Sequence, residues 1–74
     1  NVQLDVEYDK NSTITVELID VWGRVVMTDA IQVFKNQESY YKIDVSMLAA
    51  GMYLVRLTDE GQELNTYRIQ KVSY

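Results

Sequence analysis

The chain holds 74 residues, with 7 Lys plus Arg against 11 Asp plus Glu for a net charge of −4, and it contains no Cys, His or Pro. Those absences exclude disulfides, thiolate nucleophiles and cysteine metal sites, and they remove the commonest general base and metal ligand. The acidic balance works against nucleic acid, whose phosphates would be repelled. No apolar run approaches the roughly 18 residues of a membrane-spanning helix, and no basic stretch leads an apolar one as in a signal peptide.

This length predicts one domain over residues 1–74. Period-two alternation, the mark of half-buried strands, dominates it. Val2, Leu4, Val6 and Tyr8 alternate with Gln3, Asp5 and Glu7. Asp9-Lys10-Asn11-Ser12 then reads as a hairpin turn, because Asp and Asn tolerate left-handed backbone and bond their own main chain. Ile14, Val16 and Leu18 form the second stripe. Asp20-Val21-Trp22-Gly23 reads as a type I turn closed by Gly23 at a left-handed bulge position. Val25 and Met27 continue the inward pattern beyond it, and Ile31 and Val33 suggest another short strand.

Lys35-Asn36-Gln37-Glu38 is a polar loop, followed by the stripe Tyr41, Ile43 and Val45. Ser46-Met47-Leu48-Ala49-Ala50-Gly51 opens on a capping residue and ends on Gly. It is too short for a helix, so it predicts a single helical turn that plugs one end of the fold with Leu48. Tyr53, Val55 and Leu57 face inward next, and Asp59-Glu60-Gly61 repeats the turn-and-bulge device. Tyr67, Ile69 and Lys71 form the last strand, where Arg68 and Lys71 suit an edge guarded by charge. About seven short strands joined by tight turns predict an all-β fold, a small antiparallel immunoglobulin-like β-sandwich.

Candidate chemistry is sparse. Asp5, Glu7 and Asp9 share one strand face and could offer oxygen ligands to calcium. Residues two apart on a strand stand about 6.5 to 7 Å apart, however, and a solvated face is the better reading. The serines, Ser12, Ser39, Ser46 and Ser73, fall at turns and caps with no His to activate them. Asn11-Ser12-Thr13 matches a glycosylation acceptor, a pattern frequent by chance. Trp22, at a turn tip, is either a recognition anchor or sugar-stacking platform or, the favoured reading, folds back over the core rim. No nucleophile, base or metal cluster emerges, so the expectation is a protein that is not an enzyme and has no cofactor.

The order of motifs resembles a known family. Ile14-Thr15-Val16-Glu17-Leu18-Ile19-Asp20-Val21-Trp22-Gly23-Arg24-Val25-Val26 is similar to the strand–Asp–apolar–x–Gly–basic hairpin of type IX C-terminal sorting domains of Bacteroidota. Ile43-Asp44-Val45-Ser46-Met47-Leu48-Ala49-Ala50-Gly51-Met52-Tyr53 resembles that family's Ile-Asp-apolar-Ser-x-Leu-x-x-Gly-x-Tyr segment, and Tyr67-Arg68-Ile69-Gln70-Lys71-Val72 its closing strand. The resemblance spans roughly residues 12 to 72.

It implies the C-terminal module of a larger exported protein. Such a signal directs the cargo N-terminal to it through the periplasm and across the outer membrane, to the cell surface or the medium, and is usually then cleaved off. The implied partners are the type IX machinery, including its outer-membrane shuttle and sortase. Gly51, Tyr53 and Lys71 match the family's marked positions, Asp20, Gly23 and Leu48 support the fold, and Arg68 falls in the closing motif. An accessory or adhesion module of a bacterial surface protein is the alternative. A dimer through the last, unpaired strand is conceivable.

Overall fold

Strands form where β-branched and aromatic residues alternate with polar ones. In the computed structural model, which describes residues 2–72, they are β1 (Val2–Glu7), β2 (Ser12–Ile19), β3 (Val25–Val33), β4 (Glu38–Ile43), β5 (Gly51–Asp59) and β6 (Gln62–Lys71). The reading of Ser73 as a turn residue lies outside the described residues. β1 and β4 make one sheet, and the other four strands make a second in the order β3-β2-β5-β6. Every pairing is antiparallel.

The two sheets close on one core. Antiparallel partners share a sheet face, so the register Val16↔Leu57 and Leu18↔Val55 sets the stripes of β2 and β5 side by side. Ile14, Val16 and Leu18 of β2 and Tyr53, Val55 and Leu57 of β5 are buried there. Leu4 and Val6 of β1, Val33 of β3 and Ile43 of β4 complete the cluster. Each such aliphatic side chain contributes about 1.5–3 kcal/mol by leaving water. The outer strands β3 and β6 keep Met27, Ile31, Leu64 and Ile69 half-buried against this core.

The structure has six strands rather than about seven. The predicted strands at 25–27 and 31–33 are one continuous β3. An inward-facing Asp29 between Met27 and Ile31 interrupts the apolar stripe and makes one strand read as two. Its carboxylate receives the hydroxyl of Tyr41 from β4 and the amide of Ala30. Burial, then the bond and charge of Asp29, push the Tyr41 hydroxyl up to about 12.

Four local expectations also change. Residues 9–11 do not form a hairpin turn: β1 pairs with β4, and the segment carries the chain across to β2. Asn11 Oδ1 accepts the Lys35 amide at 2.7 Å, and the Asn36 amide donates to Tyr8 O at 3.0 Å. Turn chemistry shows where a chain bends, not which strand it meets next. Val25 is exposed rather than inward, because a bulge after Leu18 pairs Ile19 with Val25 and reverses the facing. The turn at Glu60-Gly61 joins Asp59 to its partner Gln62 with two residues of positive φ (51° and 83°), a type I′ hairpin with no bulge at the tip. The segment 45–48 is a β-turn closed by Leu48 N–H on Val45 O at 3.1 Å, not a helical turn. Leu48 still packs half-buried against the core, as its plugging role required.

Candidate functional site

The end where β5 starts and β6 stops gathers most of the motif residues. Gly51 and Lys71 are register partners. The Lys71 ammonium donates to the carbonyl oxygens of Val45 (2.7 Å), Ser46 (2.9 Å) and Leu48 (2.7 Å). Its three N–H groups are thereby matched by three acceptors. The turn it grips is preset by Asp44, whose Oδ1 accepts the Ser46 amide at 2.9 Å. That bond, first among the causes, holds the Asp44 carboxyl below its usual range. The buried Tyr53 ring reaches back to donate its hydroxyl to Ala49 O at 2.6 Å. Gly51 turns into β5 at φ 151°, where a Cβ would be strained although the space beside it is open. Leu48, Gly51, Tyr53 and Lys71 thus form one clasp between the last strand and the loop before β5.

The β2–β3 turn stands beside this clasp. Asp20 Oδ1 accepts the amides of Trp22 and Arg24, each at 2.9 Å, and Oδ2 receives Arg24 Nε at 2.8 Å. Partial burial pushes the Asp20 carboxyl up, but the bonds from Arg24 and Trp22 outweigh it and the net direction is down. Gly23, at φ 81°, donates its amide to Asp20 O and closes the turn. Trp22 does not fold back over the core rim: it is 78% exposed at the tip.

Arg68 lies apart from the clasp, on the opposite face of the sheet. It is the register partner of Leu54, which pairs with Ile19, which pairs with Val25. Ile19, Asp20, Val21, Gly23, Met52, Tyr53, Leu54 and Arg68 line a groove of about 320 Å³. Asp20, Gly23, Tyr53 and Arg68 therefore meet at this groove, while Leu48, Gly51 and Lys71 belong to the clasp behind it. None of these groups forms a nucleophile–base pair. What they offer is shape, a cation and apolar surface.

The sequence reading missed Asp59. At the far end of the sandwich this buried carboxylate accepts Ser12 Oγ at 2.6 Å and the Tyr8 hydroxyl at 2.7 Å, with Lys10 Nζ at 3.4 Å. The bonds from Ser12 and then Tyr8 hold its carboxyl below the usual range. The Asp59 bond raises the Tyr8 hydroxyl in turn, and Lys10 stands 5.8 Å over the Tyr8 ring. A signal was present: Asp59 continues the inward parity of Tyr53, Val55 and Leu57. Asp5 and Glu7 remain on an exposed strand face, and among the described residues no three acidic groups stand close enough to hold a metal ion.

A family model described as the secretion system C-terminal sorting domain matches residues 1–71. The chain belongs to that family. It is a C-terminal sorting signal for type IX secretion, and the accessory-module alternative is not favoured. The match takes in β1 as well as the motifs from residue 12 onward. Its role implies a cargo N-terminal to it, the type IX machinery as partner, and export across the outer membrane. No curated protein and no solved structure is similar enough to count as a match.

Proposed function

We propose that the sorting signal is read as a folded end rather than as a linear tag, by the outer-membrane shuttle and then the sortase, and that the domain performs no chemistry of its own. The cargo reaches the periplasm, crosses the outer membrane with the folded signal engaged, and is left at the surface or in the medium once the signal is cleaved off.

The observation that carries this reading is the Lys71 clasp. Residues of the Ser-x-Leu-x-x-Gly-x-Tyr segment and of the closing strand, more than 20 positions apart, are joined by hydrogen bonds of 2.7 to 2.9 Å. An unfolded tail would present none of that geometry. Lys71 acts by holding the loop, because its protons are directed at Val45, Ser46 and Leu48 rather than outward.

The test is a periplasm-targeted fluorescent reporter fused ahead of the chain in a Bacteroidota host with and without a working type IX system. Reporter at the surface or in the medium only in the competent host, lost on deletion of residues 68–74, is the expected result. Export of a variant whose clasp is open, shown by lost amide protection at residues 45–48, would contradict reading by fold.

A further inference from the structure

We propose that the groove along the end row of the four-stranded sheet docks an extended acidic segment of the export machinery, which seats an apolar side chain between Val21, Met52 and Leu54 and sets a carboxylate against Arg68. The inference rests on the sorting role and adds the chemistry of the partner.

The outer face of this sheet changes character row by row. Thr15, Ala30, Thr58 and Glu63 form one cross-strand row. The next is Glu17, Thr28, Arg56 and Thr66, with Arg56 bonded to Glu17 at 2.7 Å. Both suit water. The last row is Val25, Ile19, Leu54 and Arg68, three apolar residues ended by a cation. Beyond it stand Met52, 38% exposed, and Val21, 67% exposed. Solvent-facing sheet surface normally keeps its polar alternation. Apolar surface confined to one row and its rim marks a contact site.

Charge selects the occupant. Asp20, the acidic group on the groove wall, is answered by Arg24 at 2.8 Å and by two amides. The Arg68 guanidinium is in no ion pair or hydrogen bond among the described residues. The groove thus presents apolar walls and one uncompensated positive charge, which complement an apolar side chain flanked by carboxylates. A volume of about 320 Å³ accommodates one or two large side chains, the scale of a peptide anchor.

The export assay with single variants tests this. Val21→Ser, Leu54→Ser and Arg68→Glu are expected to lower export about ten-fold or more, the size of one anchor contact, with unchanged melting. Arg68→Lys should export near the wild-type level, and so should Phe34→Ser, a similarly exposed apolar site at the opposite end. Val21 lies in an exposed turn, so its loss cannot be ascribed to the core. In parallel, the peptides acetyl-Asp-Leu-Asp-Val-Asp-amide and acetyl-Lys-Leu-Lys-Val-Lys-amide are titrated against the free domain. Only the acidic one should shift the amides of residues 19–21, 52–54 and 68. Wild-type export by all three groove variants would overturn the proposal. Equal shifts with the basic peptide would do so too, as would Leu54-dependent binding to phosphatidylglycerol vesicles or Leu54-dependent dimerisation. A wild-type reporter held in the periplasm would instead overturn the sorting role, and the peptide titration would still decide the groove.

Discussion

The two ends of the sandwich are closed by opposite means. At one end a buried anion, Asp59, collects hydroxyls from Tyr8 and Ser12 and pins the crossing between the sheets. At the other a cation, Lys71, collects three carbonyls and pins the loop before β5. Both are polar staples satisfied by residues more than 20 positions away in the chain. They differ in what surrounds them. The Lys71 end leaves Val21, Trp22, Met47, Met52 and Leu54 exposed, whereas Phe34 is the large apolar side chain exposed beside the Asp59 end. Equal mechanical need and unequal surface imply that the Asp59 end serves the fold, while the Lys71 end serves the fold and presents a face.

The comparison is broken most severely by removing what underlies the Lys71 end. Tyr53→Ala deletes a buried ring together with its bond to Ala49, and should destabilise the domain by about 3–5 kcal/mol, read from chemical denaturation. Tyr53→Phe should lose only about 1 kcal/mol, the net value of the hydrogen bond. Equal losses in the two variants would mean that the hydroxyl, not the ring, closes this end.

Much of this was legible in the sequence, and the limits have physical causes. The stripes of β1, β2, β4 and β5 were readable because each strand buries one face, so polarity alternates with position. Gly51 and Tyr53 were singled out as motif positions, yet their pairing with Lys71 and Ala49 depends on a strand register that alternation does not encode. β3 was split because Asp29 is polar but faces inward, its partner Tyr41 lying on the other sheet. Asp59 was hidden for the same reason: its partners sit 47 and 51 residues away. The apolar end row was invisible because the bulge after Leu18 decides which residue faces Ile19.

A milder way to sharpen the comparison is to release one staple at a time. Lys71→Met keeps the aliphatic stem but leaves three carbonyls without their donor, and should destabilise by about 1–3 kcal/mol. Amide protection should fall in residues 45–48 while the crossing at 8–12 stays protected. Gly51→Ala acts on the same end through the backbone, and its positive φ predicts a loss of about 1–3 kcal/mol with no contact removed. If either change loosened both ends equally, the ends would be one cooperative unit.

The smallest effects come from pH, and their signs follow from the native pKa directions. Asp59 at one end, Asp20 and Asp44 at the other, and Asp29 between them all have depressed carboxyls. A depressed native pKa means that the unfolded chain takes up protons first. The stabilisation is therefore fully present above the ordinary Asp range, near pH 4, and is lost as pH falls through it. Tyr41 works in the other direction: raised to about 12, it holds its proton longer in the folded state, so its contribution fades as pH climbs from about 10 towards 12. Melting temperature should be flat between these limits and drop on both sides, and a profile unchanged down to about pH 3 would remove the carboxylates from the account. On the acid side the two ends separate. Asp59→Asn should abolish the acid response of the amides in residues 8–12 and leave that of residues 20–24 intact, because Asp20 titrates against Arg24 and Trp22 alone.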